Sequence, residues 1–164
     1  MRRKDREITD IQQILNIISK AKILRLGLFD GDYPYVVPLH YGYEYAENRL
    51  VFYMHSAKEG HKLELIAKNL HVCVELDCDA ELISGGEVPC MYGSSFASVI
   101  GRGMAEIVTD GKEKIKGLSL LMKHQTDRDF EINSKMASTV AVIRVTLNEF
   151  TAKAKATGTH SDLF

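Results

Sequence analysis

The chain has 164 residues, 45% of them hydrophobic and 26% charged, with a formal net charge of -1. That length suits one domain with a real core, and the near-neutral balance offers no global attraction to nucleic acid or an anionic membrane. The basic start, Met1 to Lys4, runs into Asp5, Arg6 and Glu7 instead of an apolar stretch, and no apolar run is long enough to span a bilayer. A single cytoplasmic domain over residues 1–164 is expected.

Asp10 followed by Gln13 reads as a capping box for a helix whose Ile11, Ile14, Leu15 and Ile18 share one face. Leu24, Leu26 and Leu28 then alternate as a strand, and Asp30-Gly31-Asp32 turns the chain into a second strand over Tyr35–Tyr45. Pro38 inside that strand cannot donate to a ladder, so it belongs at an edge or a bulge. A third strand carries Leu50, Phe52 and Met54. A helix beginning near Gly60 follows, with Leu63, Ile66, Ala67 and Leu70 on its apolar face. Val72, Val74 and Leu76 restore strand alternation.

Residues 79–95 hold Gly85, Gly86, Pro89 and Gly93 and read as a long loop. A long strand from Ser98 to Val108 leads to a helix capped by Asp110, with Ile115, Leu118 and Leu121 on its buried side. Val140–Phe150 forms the last strand, ahead of a polar tail. Hairpin-linked strands without regular βαβ alternation point to a mainly β antiparallel barrel with flanking helices.

Cys73, Cys78 and Cys90 are an odd set without a close pair, and Cys73 and Cys78 have opposite parity on one strand. Free thiols are expected, with no metal site. Gly101-Arg102-Gly103 lies within a strand, so it is no dinucleotide fingerprint; Gly103 serves sheet curvature or close backbone approach. His71, His124 and His160 read as surface or packing residues, and no hydrolase motif occurs.

Two segments could carry chemistry. In His55-Ser56-Ala57-Lys58-Glu59-Gly60-His61-Lys62, a strand end supplies a hydroxyl, and a helix start supplies free N–H groups beside a lysine. That arrangement suits a phosphate, and it also suits a solvated turn. In Tyr35-Val36-Val37-Pro38-Leu39-His40-Tyr41, an aromatic strand is interrupted by proline. It could wall a flat heteroaromatic ring or simply pack as a hairpin.

Taken in order, Met1 to Ile8, Arg25 to Leu28, Tyr33 to Leu39, His55-Ser56-Ala57-x-x-Gly60-His61-Lys62 and Ser98-Val99-Ile100-Gly101-x-Gly103 resemble the nitroimidazole-resistance (Nim-like) branch of the pyridoxamine 5′-phosphate oxidase-like flavoproteins. The resemblance spans nearly the whole chain. It implies a six-stranded antiparallel split β-barrel and a homodimer with flavin mononucleotide (FMN) at the subunit interface; FAD, a deazaflavin or haem fills the pocket in some relatives. It places Val37, Pro38, Leu39 and His40 along the isoalloxazine ring, with His55 and Ser56 continuing the pocket. His61 and Lys62 would hold the phosphate, and Ser98 would reach the phosphate or ribityl chain.

Three departures bear on function. Phe96 stands where many Nim-like chains have tyrosine, and Ala152 replaces the usual glycine of the last strand. The chain has no tryptophan, so it lacks the Trp-containing C-terminal signature that binds substrate in authentic pyridoxamine phosphate oxidases. The expected activity is a flavin-dependent oxidoreductase acting on a small molecule such as a 5-nitroimidazole. His40 is the catalytic candidate, since histidine titrates near neutrality. The alternative is a flavin or haem carrier or sensor without turnover, in which His40, His55 or His61 could ligate haem.

Overall fold

The computed structural model describes residues 3–155; Met1, Arg2, His160 and most of the expected tail lie outside them. A 3-10 turn (Lys4–Arg6) and a short strand β1 (Glu7–Ile8) precede helix α1 (Ile11–Lys20). The Gln13 amide donates to the Asp10 carboxylate at 2.9 Å, which satisfies one orphan N–H of the first turn. Strand β2 (Leu24–Asp30) returns through Gly31, at φ 59°, into β3 (Tyr33–Leu39). Strand β4 (Tyr41–Ala46) turns through Glu47 and Asn48, both in the left-handed region, into β5 (Arg49–Ser56).

Helix α2 (His61–Lys68) leads to β6 (His71–Cys78). The expected 79–95 loop carries a small hairpin of β7 (Leu82–Ile83) and β8 (Gly93–Ser94). Strand β9 (Phe96–Ile107), helix α3 (Gly111–Thr126), the one-turn α4 (Ser134–Ala137) and β10 (Ala141–Lys155) complete the described residues.

The main sheet is antiparallel, in the order β3-β2-β6-β9-β10-β5-β4, with β1 paired to β10. The strand expected over Tyr35–Tyr45 is therefore two strands at opposite edges of the sheet. His40 alone joins them. A sheet whose two edges are one residue apart must roll up, yet β3 and β4 share no ladder, so the barrel stays split. Pro38 lies in the edge strand β3, the position in a sheet where proline is tolerated.

Long strand β10 serves two neighbours on one side, β5 along Ala141–Leu147 and β1 farther on, with a bulge between Leu147 and Glu149. At that bend a Cβ on Gly103 would overlap the backbone of Thr146 and Leu147, so close approach is what this glycine provides. The barrel interior is filled by alternate residues such as Leu24, Leu26, Phe52, Val74, Leu76, Val99 and Ile143. Helix α1 closes it with Ile14, Ile17 and Ile18, and α2 with Leu63, Leu65 and Ile66. A small second cluster, Tyr53, Val108 and Val142, lies outside the barrel beside α3 residues Leu118 and Leu120.

Among the described residues no helix is long and apolar enough to cross a membrane. Nor does any group of three His, Cys, Asp or Glu side chains there suit a metal ion. Cys73 is exposed, whereas Cys78 packs against the core and burial pushes its thiol up to about 11.

Candidate functional site

His40 sits at the seam. Its Nδ1 lies 3.2 Å from the Lys22 carbonyl, which can only accept, so the contact places the proton on Nδ1 and leaves Nε2 free. The same carbonyl accepts from the Gln125 amide at 3.3 Å, and that amide also donates to the Tyr41 carbonyl at 3.0 Å. Lys22 Nζ donates to the His124 carbonyl at 2.7 Å, and His124 Nε2–H to the Ala21 carbonyl at 2.9 Å. The end of α3 thus fastens the α1–β2 connection to the start of β4 around His40. His124 is buried against the Tyr41 and Tyr43 rings, and desolvation holds its imidazole below the usual histidine value.

Tyr41 pairs with Met54, so His40 and His55 both lie just beyond the same end of the β4–β5 ladder. His55 is exposed; Ser56 is buried and its hydroxyl donates to the Ala57 carbonyl at 2.8 Å. Four residues on, Gly60 caps α2 at φ 142°, with no side-chain cap. Its carbonyl accepts from the Leu63 and Glu64 amides at 2.9 and 3.3 Å. The His61 and Lys62 N–H groups, first in the helix, are left without an intrahelical partner. Lys62 is half-buried and has no hydrogen bond or ion pair to a described residue. An anion would complete this set, so the residues present fit a phosphate.

His61 is engaged differently. Its Nε2 lies 2.6 Å from Asp30 Oδ2, and the ring stands edge-on to Tyr35 with centroids 5.2 Å apart. The hydrogen bond to Asp30 raises its pKa. Asp30 and Tyr35 thereby join the neighbourhood of the helix start, which no spacing in the sequence signals.

Within 37–40, Val37 and Leu39 pack against the core and Pro38 is exposed. A ring lying outside β3 would therefore meet Pro38, His40 and the free strand edge, with Val37 and Leu39 contributing backbone. Along β10 Ser98 is far from His55: it pairs with Lys153 while His55 pairs with Val142, eleven residues and up to about 36 Å of strand away. Across the sheet it is nearer the 37–40 segment, since it pairs with Asp77, whose carboxylate accepts from Arg25 opposite Pro38.

The family profile described as pyridoxamine 5'-phosphate oxidase matches residues 10–154. The fold is similar to a candidate 5-nitroimidazole antibiotic resistance protein of Bacteroides thetaiotaomicron VPI-5482, at 32% identity and TM-score 0.77 over 90% of this chain and 86% of that one. It is also similar to flavocytochrome Anf3 of Azotobacter vinelandii (18%, TM-score 0.74, 95% and 72% covered) and to an FAD-binding protein of Mesorhizobium loti (21%, 0.62, 92% and 98%). Those two likenesses show the fold alone. Among curated proteins no match was found. With the profile spanning most of the sequence and the split barrel in place, the chain belongs to the pyridoxamine 5′-phosphate oxidase-like family.

Proposed function

We propose that the chain binds FMN between two copies of itself and reduces small oxidised compounds of the 5-nitroimidazole type. The observation that carries the reading is a cluster of anion donors: Lys62 and the first α2 amides, which have no partner among the described residues, one turn beyond Ser56 and His55. Similarity to the Bacteroides protein, at 32% identity, supports the substrate class.

Bound FMN would supply the two-electron redox chemistry. Lys62 and the α2 amides would hold its phosphate, with Ser56 joining them on turning its hydroxyl from the Ala57 carbonyl; Pro38 and the β3 edge would flank its ring. His40, with Nδ1–H fixed on the Lys22 carbonyl, presents Nε2 to take or return a proton. The test is an absorption spectrum followed by anaerobic reoxidation of the dithionite-reduced protein with 2-methyl-5-nitroimidazole. Flavin bands and rapid reoxidation are expected, and a Soret band in their place overturns the reading. His40→Ala should slow reoxidation about tenfold, because water can partly replace an exposed imidazole, and should leave FMN affinity alone.

One feature supports the second copy. The outer face of β3, β2, β6 and β9 exposes Phe29, Val36, Ile100 and Met104, and Phe29 and Val36 there line a cavity of about 750 Å³. Arg25, Arg102, Glu75 and Glu149 surround that cavity, so both charge signs are present for a self-complementary two-fold contact. Light scattering of the flavin-loaded protein should give the mass of two chains; a single-chain mass overturns the dimer.

A further inference from the structure

A second cavity, of about 330 Å³, opens beside His55. Leu118, Leu121 and Met122 of α3 form one wall; Phe130, Ile132 and Met136, from the α3–α4 region, form the other. Among the described residues its polar lining is His55, Glu131 and Thr139, with no lysine or arginine. We propose that this cavity is the substrate pocket of the flavin site, and that it selects uncharged or cationic single-ring aromatics against anionic ones, phosphate esters included. The proposal rests on the flavin reading and adds the place and the charge rule.

Size sets the first limit. A cavity of about 330 Å³ is at the small end of ligand pockets and suits one substituted ring. Charge sets the second. An anion entering would lose water, find no cation in the lining and meet the Glu131 carboxylate. Arg128 is not in the lining; its guanidinium lies over the Phe130 ring, 5.1 Å from the centroid. Shape completes the case: Phe130 and Met136 stay 39% and 55% exposed, apolar surface that the folded core does not use. The thioethers of Met122 and Met136 suit a ring face, and the His55 imidazole can donate to a nitro oxygen. His55 shares a ladder end with His40, so a ring held here lies at the edge of the proposed flavin site.

The experiment uses three matched probes, 4-nitrobenzylamine, 4-nitrobenzyl alcohol and 4-nitrobenzoate, titrated calorimetrically into the full chain with FMN added. The carboxylate is expected to bind at least about tenfold weaker than the alcohol. Glu131→Gln should erase an advantage of the amine over the alcohol of up to about fivefold and leave the alcohol unchanged. Met136→Trp should fill the cavity and weaken the alcohol at least about tenfold without altering FMN affinity. Glu131→Gln is a surface change that needs no repacking, so the charge rule is tested even if the tryptophan variant folds poorly. Tightest binding of the carboxylate overturns the proposal, as does alcohol binding or reductase KM that ignores Met136→Trp in a flavin-loaded protein. A chain that binds no flavin, yet keeps the probe order and the Met136 dependence, retains the pocket and overturns the flavin reading.

Discussion

Gly42→Ala is expected to lower the thermal midpoint by about 6–12 °C, corresponding to about 3 kcal/mol in a domain of this size. Gly42 is buried on β4, and a Cβ there would overlap the α3 backbone at Leu120 and Leu121. Backbone cannot rotate aside as a side chain can, so the helix must lift. Overpacking alone costs about 1–3 kcal/mol. Lifting α3 also strains the His124–Ala21 bond at 2.9 Å, the Gln125–Tyr41 bond at 3.0 Å and the Glu113 carboxylate contact with Arg144 at 2.6 Å. Arg144 would then keep Glu106 at 2.7 Å as its carboxylate partner, its buried Nε having no partner already. A Cβ at Gly117 would meet the buried Tyr53 side chain and no backbone, so a side-chain shift can absorb it and Gly117→Ala should cost less. Calorimetric unfolding of both variants checks this. A Gly42→Ala midpoint within a degree or two of the parent would mean that α3 does not seat on β4 as described.

The same helix shows where periodicity stops being informative. Ile115, Leu118 and Leu121 are the expected apolar side of α3, whereas Gly117, Leu121 and His124 are its buried residues. A glycine chosen for close approach and a histidine bonded to a carbonyl leave no trace in a hydrophobic repeat. On α2 the expected Ala67 is exposed and Leu65 is buried, and Leu70 is exposed because α2 ends at Lys68.

The strands were legible from alternation, with one instructive exception. Tyr35, Val37, Leu39, Tyr41, Tyr43 and Tyr45 all lean toward the core, so the period of two runs unbroken through His40. Alternation reports which face is buried and says nothing about which strand is the partner. Only Pro38 signals an edge. The site divides the same way. His55 to Lys62 is one continuous stretch and could be read locally. Asp30 against His61, and Gln125 against the His40 seam, are made by residues 31 and more than 80 apart, which only the fold brings together.

Lys62→Ala should weaken FMN binding by about ten- to a hundredfold. A hydrogen bond to a charged group is worth about 1.5–3 kcal/mol, and each ~1.4 kcal/mol is a factor of ten in affinity. The structure sharpens the expectation in two respects. Lys62 is half-buried without a described partner, so no competing carboxylate has to be released when a phosphate arrives. His61 beside it is tied to Asp30 at 2.6 Å, so its charge is already compensated and Lys62 supplies most of the attraction. Riboflavin, which lacks the phosphate, should bind parent and variant about equally. The midpoint without flavin should barely move, because the substitution breaks no hydrogen bond or ion pair to a described residue. Fluorescence titration separates the outcomes: unchanged FMN affinity places the phosphate elsewhere. Equal weakening of FMN and riboflavin would instead make Lys62 a support of the α2 entry, with the α2 amides and Ser56 left to read the phosphate.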